Sequence, residues 1–277
     1  MKKILLLSVF IFVLNLMAFA QSDIRKVDFQ NFTYEPYCAG EETEKITVKN
    51  GEFSREKEMD GYTDRFYLKA FQTVYGDLTG DGKEEAVILT VCNTGGTGNF
   101  TEGFIYGMKG GKATLLTRIE GGDRAYGGLR EARIENGILI VESNDVGEAG
   151  GACCPEFVVT SFYKLSGSEL KETKKSDRRE LYPSQRVTFP KGSSGTTLTV
   201  NVPAQELKRL VVGARAGQTL SVSINAKNAS LRILEDADVK DETTKLTAKL
   251  PKNGDYTIEV QNFEETEKEI SVTIKIN

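Results

Sequence analysis

The side chains best suited to chemistry lie between residues 74 and 88, VYGDLTGDGKEEAVI, where carboxylates and glycines are packed between two apolar runs. Asp77, Asp81 and Glu85 stand at the first, fifth and ninth places of an oxygen-ligand loop. Gly82, at the sixth place, allows the sharp turn that wraps ligands round a hard cation. Together with Thr79 at the third place they are the candidate Ca²⁺ ligands. Thr79 occupies a position usually held by Asp or Asn, and Ile88 stands at the twelfth, where a helix-flanked calcium loop needs a bidentate Glu. The expectation is therefore a loop joining two strands, either holding Ca²⁺ or acting as a Gly-rich turn with solvated carboxylates.

Cysteine is the second reactive type. Cys38, Cys92, Cys153 and Cys154 all precede residue 180, so any disulfide framework belongs to the first part of the chain. Four cysteines permit three pairings. A bridge between adjacent residues is strained, so Cys38 and Cys92 are each expected to pair with one of Cys153 and Cys154; a single bridge with two free thiols is the alternative. Two glycine-rich connections, 94–99 and 147–152, lack the Lys-Ser/Thr and following helix of a phosphate loop. They are expected at one end of a sheet near the carboxylate loop, as binding loops or as plain turns.

There is no histidine and no tryptophan. That removes Ser-His-Asp and Cys-His catalysis, His-bound zinc and imidazole bases. Paired carboxylates can still hydrolyse glycosides, but nothing marks such a pair, and the chain is read as a non-enzyme.

The chain opens Met1-Lys2-Lys3, continues apolar from 4 to 19, and reaches Ala18-Phe19-Ala20 before polar residues. This is the pattern of a secretory signal peptide over 1–20, shorter than a comfortable membrane span. No other run is long and apolar enough to span, so a bacterial protein of the periplasm or medium is expected. Formal net charge is −4, and losing Lys2 and Lys3 with the leader makes it −6. Residues 21–182 carry 21 basic and 28 acidic side chains, and 183–277 carry 13 and 12. Neither part has the basic surplus that nucleic acid or anionic lipid demands.

The elements positioning these residues read as all-β. Candidate strands are 26–34, 46–49 turning through Asn50-Gly51 into 52–53, 65–75, 86–92, 103–108, 113–119, 129–134, 138–142, 156–165 and 169–171. The run KETKKSDRR, 171–179, is a linker or solvated edge. Two domains follow: 21–182, an antiparallel β-domain with the disulfides and the calcium-type loop, and 183–277, a β-sandwich. In the latter, strands are expected at 186–189, 196–202, 207–212, 219–224, 230–234, 245–250, 255–260 and 270–276.

The single DxxGDGxxE-like turn at 77–85 resembles the loop of FG-GAP and related secreted β-domains, where it joins two strands and can hold Ca²⁺; occurring once, it does not support a propeller. RLVVGARAGQTLSVSI (209–224) and KLPKNGDYTIEVQN (249–262) resemble segments shared by bacterial pre-peptidase C-terminal-type sandwiches and the periplasmic inhibitors of g-type lysozyme. That resemblance covers about a third of the chain. It implies Gly217 and Gly254 in turns, Leu250 and Tyr256 in a core, and an exported non-catalytic protein that binds a protein or glycan, inhibitor-like towards a lysozyme or other envelope hydrolase. The alternative is a calcium-stabilised structural or adhesion protein of the envelope. In the inhibitor family the connection after the GDYTIEV strand tends to be basic; here 262–269 is acidic. Phe263, Glu264 and Glu265 are the candidate binding loop, with a second acidic loop at 235–244.

Overall fold

The strand from Glu85 to Asn93 is buried along nearly its whole length, and the first part of the molecule is built on its two faces. The computed structural model describes residues 23–39, 44–147, 151, 153–235 and 237–277; the expected leader lies outside them. Among these residues there is no α-helix, only two short 3₁₀ turns, Ile24–Lys26 and Tyr37–Ala39, and β-strands. The chain divides into two compact units, Met1–Pro155 with Val159–Asp177, and Glu156–Val158 with Arg178–Asn277.

After β1 (Thr33–Tyr34) and β2 (Ile46–Thr47), the first unit continues through β3 (Glu52–Met59), β4 (Tyr62–Gly76), β5 (Glu85–Asn93), β6 (Phe100–Lys109) and β7 (Lys112–Asp123). The last five form an antiparallel meander in sequence order. A second sheet has the order β11-β10-β9-β8, with β8 Leu129–Glu135, β9 Ile138–Asp145, β10 Phe157–Ser166 and β11 Glu169–Glu180. Alternation explains the burial of β5. Ala86, Ile88 and Cys92 pack beneath Ile24, Phe29, Tyr34, Ile46 and Val48, while Val87 and Leu89 pack with Leu129, Ala132, Leu139 and Val141 of the second sheet. Each such aliphatic side chain contributes about 1.5–3 kcal/mol by leaving water.

Two expectations are corrected here. Of residues 26–34 only Thr33–Tyr34, at the far end, form a strand. Asp23 accepts the amide of Arg25 (2.9 Å), and Asp28 accepts those of Gln30 (3.1 Å) and the Asn31 side chain (2.7 Å), so short polar side chains turn the backbone before it can extend. The Asn50-Gly51 turn does form, with both φ positive. Its arms then separate: β2 pairs with β1, and β3 pairs with β4.

The second unit is a two-sheet sandwich. One sheet has the order β12-β14-β19-β16 and the other β13-β20-β15-β18-β17. Their ranges are β12 Ser184–Arg186, β13 Gly195–Val202, β14 Leu207–Ala214, β15 Thr219–Ile224, β16 Ala229–Ile233, β17 Asp238–Glu242, β18 Lys245–Lys249, β19 Gly254–Asn262 and β20 Lys268–Ile276. Inward residues of both sheets share one core, including Leu210, Tyr256 and Ile258 from the first and Leu220, Val222, Val272 and Ile274 from the second. The strand expected at 186–189 is shifted to 184–186 and runs parallel to β14. Half of the expected loop 235–244 is instead β17, hydrogen-bonded to β18; Asp236 lies outside the described residues. Leu250 and Tyr256 are in the core and Gly217 sits in the turn before β15, while Gly254 opens β19.

Candidate functional site

The carboxylate loop joins β4 to β5, and its acids hold its own backbone. Asp77 accepts the amides of Gly80 (2.6 Å) and Gly82 (2.8 Å), and Asp81 accepts that of Lys83 (2.9 Å). Glu85 is buried, and one of its oxygens accepts the amides of Leu78 (2.8 Å) and Thr79 (3.2 Å). Burial pushes the Glu85 carboxyl above its ordinary range, against the lowering effect of those two N–H groups. Thr79 thus enters through its backbone amide, towards Glu85, and through its side chain, towards Asp81. Among the described residues no three acidic or cysteine side chains are placed to hold a metal ion. As arranged, these carboxylates accept from the loop's own backbone amides.

The cysteines pair differently from the expectation. Cys38 bonds Cys92 across 54 residues with Cα atoms 6.6 Å apart, and Cys153 bonds Cys154. The physical reason is placement: the 3₁₀ turn holding Cys38 packs onto the end of β5, where Cys92 faces the same core. The first glycine-rich loop is also not beside the carboxylate loop. The 94–99 segment leaves the far end of β5, about 26 Å away at strand rise. There Asn99 accepts the amide of Arg124 (3.2 Å) through its backbone carbonyl, and the Asn144 side chain donates to the Arg124 carbonyl (2.9 Å). Residues 148–150 and 152 of the second glycine-rich loop lie outside the described set.

A cleft of about 390 Å³ opens at this end, lined by Pro36, Tyr37, both bridged cysteines, Thr90, Phe100, Glu102 and Glu120. Its buried acid is Glu102, which accepts the Tyr37 amide (3.1 Å) and pairs with Arg118. Burial raises the Glu102 pKa, and Arg118 and the Tyr37 N–H oppose that rise. Sequence reading missed this cleft. The signal was available: Glu102 shares strand parity with Phe100, Phe104 and Tyr106, so an acid was being placed on a core face.

In the second unit, the connection from β19 to β20 carries the expected binding loop. Asn262 is fully buried, and its side chain donates to the carbonyls of Val202 (3.1 Å), Pro203 (3.0 Å) and Thr266 (2.9 Å) while accepting the Glu264 amide (3.0 Å). Gln205 donates to the Phe263 carbonyl (2.8 Å) and to Glu265 (3.2 Å). Glu264 accepts from Lys268 (2.9 Å) and Asn228 (3.2 Å), and the Lys268 hydrogen bond lowers its pKa first. These contacts fix the backbone and leave Phe263 46% exposed.

Fold and loop together define an all-β chain that displays an aromatic side chain on a braced connection. Solved structures with some likeness include the PliG proteins, periplasmic inhibitors of g-type lysozyme, from Aeromonas hydrophila (21% identity, 34% of this chain, 96% of that one, TM-score 0.30) and Salmonella Typhimurium (23%, 34%, 97%, 0.29). An Escherichia coli PliG mutant matches at 22% identity over 34% of this chain and 97% of its own, with TM-score 0.29. No protein-family model matches the chain, and no curated protein does. At these TM-scores nothing about function passes from those proteins to this one.

Proposed function

We propose that the chain is an exported, non-catalytic binding protein that engages a partner protein by inserting Phe263 into a cleft, in the manner of an inhibitor. The observation that carries this is the buried Asn262 network beneath a half-exposed aromatic ring. A large apolar side chain in water is kept on a pre-ordered loop, which lowers the entropy lost on docking and is the usual make-up of an interface anchor. Export rests on the leader pattern of residues 1–20. Of the acids on this loop, Glu264 is paired with Lys268 and Glu265 is held by Gln205, which limits the charge left free to steer a partner.

The solved structures above are named as inhibitors of g-type lysozyme, which makes that enzyme the first partner to try. Residual g-type lysozyme activity measured against rising protein, at low and physiological salt, is expected to show weak inhibition that falls with salt. Phe263→Ala should abolish it, and Asn262→Ala, which frees the loop, should weaken it. Tight inhibition untouched by Phe263→Ala would move the site elsewhere, and none at low salt would remove a lysozyme as partner.

A further inference from the structure

We propose that the cleft between Tyr37 and Phe100 in the first unit binds an organic cation, an ammonium group on an apolar stem, with its charge against Glu120. A volume of about 390 Å³ falls in the size range of small-molecule sites. The walls are apolar where a stem would lie, with Pro36, the Cys38–Cys92 bridge and the two rings, and acidic where a head group would end.

Charge decides the class of ligand. Glu102 on β6 and Glu120 on β7 are direct cross-strand partners, and like charges placed opposite one another destabilise a sheet. Arg118 answers only half of this pair. It is bound to Glu102, whose other oxygen accepts the Tyr37 amide. Glu120 has no hydrogen-bond or ion-pair partner among the described residues, so the cleft holds one carboxylate more than its cations neutralise. An anion or a second carboxylate would be repelled there, and a neutral ligand would leave the imbalance standing.

The rings point the same way. Tyr37 and Phe100 are 61% and 45% exposed at the cleft, and the face of an aromatic ring attracts cations. Tyr37 already carries one, with the Arg118 guanidinium 4.5 Å from its ring centre. Phe100 is seated by the neighbouring loop: a Cβ at Gly98 would lie 2.7 Å from its ring, so only glycine lets the ring rest there. The Cys38–Cys92 bridge fixes the turn that carries Tyr37 onto β5. Both rings are thus held in place before any ligand arrives.

The test is calorimetric titration of the full chain with n-pentylammonium and with n-pentanol, its neutral counterpart, at low salt. A capped tetrapeptide containing one lysine, and its norleucine twin, form a second arm. The ammonium is expected to bind about tenfold more tightly than the alcohol. Glu120→Gln, at an exposed position, should bring that ratio close to one, and Glu131→Gln, outside the cleft, should leave it unchanged. Phe100→Ala should weaken both ligands. A lysine peptide tighter than pentylammonium would point to a side chain of a partner protein, and equal binding to a free amine; either supports a cation site. Equal affinity for ammonium and alcohol, a preference that survives Glu120→Gln in a folded variant, or no binding of either would overturn it. None of these substitutions falls in the Phe263 loop, so this result and the lysozyme assay stand or fall separately.

Discussion

Glu85 is a carboxylate that folding moves out of water and then surrounds with two amide donors and two further acids. Burial has the largest effect, and Asp81 and Asp77 add to it, so its folded pKa lies above the ordinary value of 4.5. The native state then holds this proton more tightly than the unfolded chain does. The stability it contributes is complete below about pH 4.5 and is lost as pH rises through the folded value. Glu85→Gln keeps an oxygen for Leu78 and Thr79 and discards the charge. Guanidinium denaturation should therefore find the variant gaining on the wild type more at pH 7 than at pH 4, and an equal difference at both would refute the account. The same residue bears on calcium. With one of its oxygens accepting two backbone amides, the wild type is expected to melt at one temperature in chelator and in millimolar Ca²⁺. An increase approaching the ~2.7 kcal/mol that a hundredfold excess over Kd provides would instead place a cation among these acids.

At the scale of elements, the Cys38–Cys92 bridge ties the N-terminal cover to the central strand. Closing 54 residues should stabilise the first unit by about 4 kcal/mol through the unfolded chain. Denaturation of the Cys38→Ser/Cys92→Ser double variant should show that loss in the first unit and leave the sandwich transition in place; a loss shared by both would contradict it. The sequence made most of this framework legible, because strands such as Thr219–Ile224 bury every second side chain and say so in their letters. It misled where side chains do not set the outcome. DVKDE in β17 has a single apolar residue and is a strand because β18 offers it hydrogen-bonding groups. Val27 and Phe29 imitate strand alternation while Asp23 and Asp28 turn the backbone. The pairing of the cysteines depends on which end of β5 the N-terminal segment crosses, a tertiary fact with no local signature. The acidic loop was found by its spacing, and its hydrogen bonding was not, since spacing does not tell whether an oxygen meets a cation or an amide.

At the scale of the whole molecule, the sandwich carries its own core. Every buried residue of that cluster falls between Val200 and Ile276, with Val187, Phe189 and Leu198 at its margin. A fragment spanning 178–277 is expected to unfold in one cooperative transition by calorimetry, and a broad, featureless trace would show that it borrows apolar contacts from the rest of the chain. With so many strands and no helix among the described residues, the open sides of the sheets become a matter of survival in solution. β11 ends the order of its sheet and is exposed for almost its whole length. Its outward N–H and C=O groups are the kind of template on which a second copy can zip. The residues there are Lys171, Lys174, Lys175, Arg178 and Arg179 among acids, with Lys174 and Arg178 each lying 3.6 Å over a phenylalanine ring. Two such rims brought together would have to strip water from all of these charges. The charged run that first looks like a tether therefore works as a fence against polymerisation, keeping a chain rich in β-structure from growing into fibres.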